Sequence, residues 1–111
     1  MGKTRYARII TMKAKPGKGD EFVRTFRDEV ASSAVGLEGM RRLYLLRPVG
    51  KKDELVVLSL WDDDKSAGSY AKSDSNKAYA DALKKVQQGK ERVRKFNVEV
   101  HVLGKAVEGT D

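Results

Sequence analysis

The sequence has no cysteine among its 111 residues, which excludes disulfides, a thiolate nucleophile and a cysteine-ligated zinc site. Histidine is nearly as scarce: His101 stands alone. One chain therefore cannot assemble a multi-histidine metal centre, and no metal site is expected, while a single catalytic histidine stays open. No apolar run approaches the roughly 20 residues of a membrane span. The opening Met1-Gly2-Lys3-Thr4-Arg5-Tyr6 lacks the apolar stretch of a secretion signal. A soluble, cytoplasmic protein with no membrane partner is expected. The length fits one domain, residues 1–111, with a core over about 6–103 and a small, polar, flexible tail over 104–111. A chain of this size hides roughly 65% of its unfolded surface on folding. That leaves little room for a deep private active site, so a pocket can call for a second copy of the chain.

Charge is plentiful but uneven. Lysine and arginine number 23 against 16 acids, a formal net charge of +7. Six of the bases (Lys84, Lys85, Lys90, Arg92, Arg94, Lys95) and one acid, Glu91, fall between residues 84 and 95, so this window carries +5 of the +7. A nucleic-acid footprint is one reading. However, the run contains no aromatic residue before Phe96, and single-strand binders need stacking platforms. The solvated end of a helix and its following loop explains the cluster better, since cations are favoured near helix C-termini. Nucleic acid is not the expected partner.

Residues 6–14 are rich in strand formers, and Pro16-Gly17-Lys18-Gly19 breaks the run. Asp20 can cap a helix reaching about Ser33, with Phe22, Phe26 and Val30 on one face. Two glycines in Val35-Gly36-Leu37-Glu38-Gly39 end it. A hairpin follows: strands over 40–47 and 54–61 are joined by a turn too short for a parallel crossover. Asp62-Asp63-Asp64 suits the cap of a short helix through Ala71. Ser73 or Asp74 caps another, with Tyr79, Leu83 and Val86 at helical spacing. Phe96–Val102 alternates cleanly and reads as the final strand.

The order β-α-β-β-α-β predicts an α+β, ferredoxin-like split βαβ fold, an antiparallel sheet with helices on one face. Its other face is also apolar. Leu55, Val57, Ser59 and Trp61 alternate with Val56, Leu58 and Leu60, and a solvated face would be polar. The chain has no further helices to cover it, so a second copy packed sheet to sheet is predicted.

Several segments, in order, resemble the antibiotic biosynthesis monooxygenase (ABM) family of dimeric α+β barrels. They are Lys15–Phe22 after the first strand, Gly36–Met40 before the second, Leu45-Leu46-Arg47-Pro48 at its end, Glu54–Trp61 with its three aspartates, and Ser69–Asp74 between the short helices. The resemblance covers about residues 6–102. It implies a homodimer whose protomers each hold a pocket between sheet and helices. It also implies one of several activities: oxidation of phenolic polyketides or quinols by O₂ without metal or flavin, haem binding and degradation, or none established. The haem-degrading branch uses an Asn, a Trp and a His that fall here on Ile10 or Thr11, on Tyr70, and on Tyr79 or Ala80. None matches. Tyrosine can ligate haem iron, so a haem-binding barrel or a non-catalytic binder of a hydrophobic ligand remains the alternative.

Cofactor-free oxygenation asks for an apolar pocket, a base or cation that favours the substrate anion, and hydrogen bonds that place it. Strand parity puts Met40, Arg42, Tyr44 and Leu46 on one face of the second strand, and Asn97, Glu99 and His101 on one face of the last. His101 has the ordinary pKa best suited to a base near neutrality. Tyr70 and Tyr79 roof the expected pocket. His101, Arg42 and Tyr70 are the catalytic candidates; Tyr44, Trp61, Tyr79, Asn97 and Glu99 are the substrate-binding ones. Bland roles compete for several of them. Trp61 suits core packing, Tyr44 suits an interface with its hydroxyl satisfied, and Asn97, Glu99 and His101 suit water or a dimer seam. Arg42 on a buried face is harder to dismiss, because an unpaired buried cation is costly.

Overall fold

Residues 54–61 carry two apolar sets in alternation, and in the computed structural model they form an interior strand, β3 (Glu54–Trp61). The structure describes residues 4–34, 36–102 and 104. β3 pairs antiparallel with β1 (Tyr6–Lys13) on one side and with β2 (Met40–Leu46) on the other. β4 (Arg92–Asn97) adds to the free side of β1, giving the sheet order β2-β3-β1-β4. The first helical segment starts as α1 (Gly19–Thr25), widens into a π-helical stretch (Phe26–Ala31) and ends in a short α2 (Ser32–Ala34). Two further helices, α3 (Asp64–Ala71) and α4 (Asp74–Leu83), follow β3. This is the ferredoxin-like α+β arrangement expected from the element order.

Parity decides which side of the sheet the helices cover. Met12 pairs with Leu55 and Ile10 with Val57, and Met12, Leu55 and Val57 are buried under Phe22, Phe26, Val30, Tyr79 and Leu83. The alternate positions Ile9, Val56, Leu58 and Leu60 form the second face, half-buried. Tyr44 and Leu46 lie on that face and are each 43% exposed.

Three local readings are corrected. The last strand runs over Arg92–Asn97 rather than Phe96–Val102, so of the expected strand only Phe96 and Asn97 are paired with β1. β4 is an edge strand, and the charges that disguised Arg92-Val93-Arg94-Lys95 in the sequence are typical of an edge. A register shift between Met40 and Arg42 turns Met40 to the helix side, opposite Trp61, while Arg42 stays opposite Leu60. Arg41, in the shifted stretch, reaches Asp62 at 2.7 Å. Finally, α1 begins at Gly19 rather than behind an Asp20 cap. The expected tail over 104–111 lies, Gly104 apart, outside the described residues.

The start of α1 is held from across the fold. Asp53, in the β2–β3 turn, accepts hydrogen bonds from the Gly17 amide (3.1 Å) and the Gly19 amide (2.9 Å). A distant carboxylate thus takes the place of a local cap, satisfying donors that a helix N-terminus leaves free. The other helices are capped locally, α3 by the Asp63 side chain on the Ser66 amide and α4 by Ser73 on the Asn76 amide. The Ser66 amide, as donor, holds the exposed Asp63 carboxyl below its ordinary pKa. Gly19 also leaves no space for a side chain, since a Cβ there would run into the Lys52 carbonyl oxygen. Asp53→Ala should lower the unfolding free energy by about 1–2 kcal/mol, measured by urea denaturation at neutral pH, with the native circular dichroism spectrum retained.

Candidate ligand cavity

Covering one face of a twisted sheet with a broken run of helices leaves a gap, and here it is a cavity of about 320 Å³. β1 contributes Arg8, Ile10 and Met12, and β3 contributes Val57, Ser59 and Trp61. The π-helical stretch supplies Phe26 and Val30, α3 supplies Tyr70, and α4 supplies Asn76, Tyr79 and Leu83. Lys84, Gln87, Lys90 and Glu91, in the segment after α4, also line it.

One wall is a run of three aromatic rings. Trp61 and Tyr70 have centroids 5.7 Å apart at 37°, and Tyr70 and Tyr79 have centroids 6.2 Å apart at 36°. Both spacings fall in the range of favourable offset ring pairs. Trp61 is 1% exposed and its indole N–H donates to Ser59 Oγ at 2.9 Å. Asn76 is fixed by a 3.1 Å bond from its side-chain amide to the Ala71 carbonyl.

Two polar atoms on the lining are buried without a hydrogen-bond partner among the described residues, Arg8 Nε and the Tyr79 hydroxyl. Tyr79 is itself only 7% exposed. An unsatisfied buried polar group costs about 1–3 kcal/mol, so native structures seldom keep one without a use for it. Burial drives the Tyr70 hydroxyl well above its ordinary pKa, and the neighbouring Tyr79 adds to the shift while Arg8 opposes it. At neutral pH Tyr70 is therefore a phenol, a hydrogen-bond donor and no base. Among the described residues, no group of three or more His, Cys, Asp or Glu could hold a metal ion.

Of the residues selected from the sequence, Trp61, Tyr70 and Tyr79 come together on this lining. Arg42 and Tyr44 sit on the opposite face of the sheet. Asn97 ends β4, and Glu99 and His101 lie beyond it in exposed, non-strand chain; none of these five lines the cavity. Sequence reasoning missed Arg8, Ser59, Asn76 and Glu91. A signal for Arg8 was present: it shares parity with Ile10 and Met12, a charge on the buried side of a strand.

A second, more open groove of about 540 Å³ lies beside β2. Val23, Ala31, Leu43 and Leu45 line it with Arg27 and Arg47, and Phe26 and Leu55 belong to its lining as well. Arg47 is committed to Asp20, at 3.0 Å, and to the Gly19 carbonyl, at 3.3 Å.

The raised Tyr70 pKa makes stability depend on alkaline pH. Below about pH 10, the ordinary tyrosine value, folded and unfolded chains both keep the proton, and Tyr70 contributes fully to stability. Above it the unfolded chain ionises first, so stability falls until the folded phenol also ionises. Urea denaturation at a series of pH values from about 9 to 11.5 should show this fall in the native sequence and a shallower one in Tyr70→Phe.

The sequence profile of the antibiotic biosynthesis monooxygenase family matches residues 5–89. No curated protein matches the sequence. Among solved structures, the fold is similar to that of NE2512, a protein of unknown function from Nitrosomonas europaea (TM-score 0.79, 13% identity, 96% of this chain and 100% of that one). It is also similar to PA3566 from Pseudomonas aeruginosa (TM-score 0.73, 17% identity, 90% of this chain and 99% of that one). A third similar structure is SnoaB, a cofactor-independent oxygenase from Streptomyces nogalater (TM-score 0.75, 19% identity, 90% of this chain and 98% of that one). At these identities the structural likenesses speak to the fold. The profile spans β1 to the end of the helical layer, most of the cavity wall, and by that match the chain belongs to the antibiotic biosynthesis monooxygenase family.

Proposed function

We propose that the chain works as a homodimeric, cofactor-independent monooxygenase that oxidises a small aromatic or quinol-like substrate with O₂. The observation that carries this reading is the pairing, in one cavity, of an aromatic wall with two buried polar atoms that have no partner among the described residues, Arg8 Nε and the Tyr79 hydroxyl. A flat ring can stack beside Tyr70 while its oxygen receives both donors. The family match and the likeness to SnoaB are consistent with such chemistry.

In this reading the substrate supplies the electrons. Arg8 and Tyr79 stabilise its phenolate or enolate oxygen, which lowers the cost of removing a proton. Among the described lining residues, Glu91 is the carboxylate able to accept that proton. The resulting anion reduces O₂, a C–O bond forms, and loss of water from the hydroperoxide leaves a carbonyl. One CH₂ and one O₂ become one C=O and one H₂O. Tyr70, held as a phenol, can donate to the peroxide oxygen. The dimer follows from the half-buried apolar face built by Ile9, Val56, Leu58 and Leu60, which the chain's own helices leave uncovered. His101 and Arg42, favoured on sequence, enter the reaction only if a second copy carries them to the substrate.

Purified protein should consume O₂ in the presence of an anthrone or hydroquinone, with a rate unaffected by chelators. Arg8→Met should lower kcat/KM by about 100-fold, the scale of losing a preorganised donor. Tyr79→Phe should lower it by about 10-fold without loss of stability, since its hydroxyl makes no hydrogen bond among the described residues. Absence of turnover across such compounds would sink the reading. A stoichiometric Soret shift on adding haem would move the cavity to the haem-binding alternative.

A further inference from the structure

The cationic run over residues 84–95 takes on a second meaning once the chain is folded. Lys85, Arg92, Arg94 and Lys95 are exposed and do not line the cavity, but Lys84 and Lys90 reach it. With Arg8 they bring three cations to the lining, against one carboxylate, Glu91. The cavity is apolar in its walls and positive in its charge.

That charge is not spread evenly through its depth. Val57, Trp61, Tyr79 and Leu83 are buried and form the floor, whereas Lys84, Lys90 and Glu91 are exposed and mark the mouth. The mouth is a fixed rim. The Lys15 amide bonds the Val86 carbonyl at 2.7 Å and the Gln88 amide bonds the Lys13 carbonyl at 2.8 Å, which ties this segment to the end of β1. Gly89, at φ 74°, then turns the chain into Lys90 and Glu91. The rim groups differ in how far they are already engaged. Glu91 accepts a bond from the Gln87 side-chain amide at 3.3 Å. Lys84 lies 3.5 Å from Asp81, an exposed pair of the kind that contributes little. Lys90 has no hydrogen bond or ion pair among the described residues.

We infer that the substrate is an aromatic acid, its carboxylate held at the mouth by Lys90 and Lys84 while its ring lies beside Tyr70. The inference rests on the oxygenase reading and names the substrate class that reading leaves open. The buried atoms of Arg8 and Tyr79 meet the reacting oxygen, and the lysines hold the far end, so the ring has one orientation. A carboxylate suits this rim better than a phosphate. The mouth lies at the C-terminal end of α4, where the helix dipole is negative and a multiply charged group is penalised. The remaining positive charge of residues 84–95 draws an anion toward the opening, an effect that salt screens.

Anaerobic calorimetry with two anthrones tests the site without turnover, one carrying a carboxylate on an outer ring and the other its neutral carboxamide. The native chain should bind the acid about tenfold more tightly than the amide, the scale of a hydrogen bond to a charged group. That preference should shrink in about 1 M salt, where the Debye length is about 3 Å. Lys84→Gln/Lys90→Gln should lose it and Lys84→Arg/Lys90→Arg should keep it, both with the native circular dichroism spectrum. Equal affinities for acid and amide overturn the carboxylate site, even where both anthrones consume O₂ and the oxygenase reading stands. Preference for the acid without O₂ consumption upholds the site and sinks the oxygenase reading. Binding of neither compound overturns the inference, and O₂ uptake with unsubstituted anthrone then judges the oxygenase reading by itself.

Discussion

A sheet with two apolar faces and helices enough for one is the constraint from which the rest of this structure follows. Leu55, Val57 and Trp61 satisfy the covered face, while Val56, Leu58 and Leu60, their immediate neighbours in the same strand, face the other way. Burial of apolar surface is worth about 25 cal/mol per Å², so a face of this kind is a standing source of association energy. The helical layer, in turn, does not seal its own side. It is divided into a segment before the hairpin and two short helices after β3, and the space between them is the cavity.

The cavity is built as an apolar shell with a few unspent polar groups. Trp61 and Asn76 have their donors satisfied within the chain, so both serve to fix the walls. Arg8 and Tyr79 differ, each keeping a buried atom without a partner among the described residues. A chain selected for stability alone would not hold such atoms, and strain or dissatisfaction kept at a site is commonly linked to what that site does. The π-helical stretch belongs to the same pattern. Phe26 and Val30, both on the cavity lining, fall within it, and single π turns inside α-helices recur at functional sites.

The sequence made the fold legible because its strongest signals were periodic. The bounds of β3 could be read directly, and Ser73 and the aspartates announced the starts of α3 and α4. The site was only partly legible. Trp61, Tyr70 and Tyr79 stood out as large aromatics in segments destined for the pocket. Arg8 was hidden inside a strand rich in β-formers, although parity against Ile10 and Met12 gave it the same mark that singled out Arg42. Strand parity put Met40 on the face of Arg42, wrongly, since a one-residue register shift reverses a side chain and leaves no compositional trace. β4 was displaced toward Phe96 because Arg92, Arg94 and Lys95 mask its alternation. That part of the reading failed for a physical reason: an edge strand has no need to look apolar.

Trp61 is the one tryptophan in the chain, and it is buried in a cavity wall with Tyr70 against its ring. Its ultraviolet emission therefore comes from a single place, the interior of the candidate site. Occupation of the cavity, exchange of its contents for solvent, or a shift of α3 would each alter the surroundings of that one fluorophore. The fold has thereby supplied the protein with a native optical probe at the position where a ligand would enter, and no label is needed to follow it.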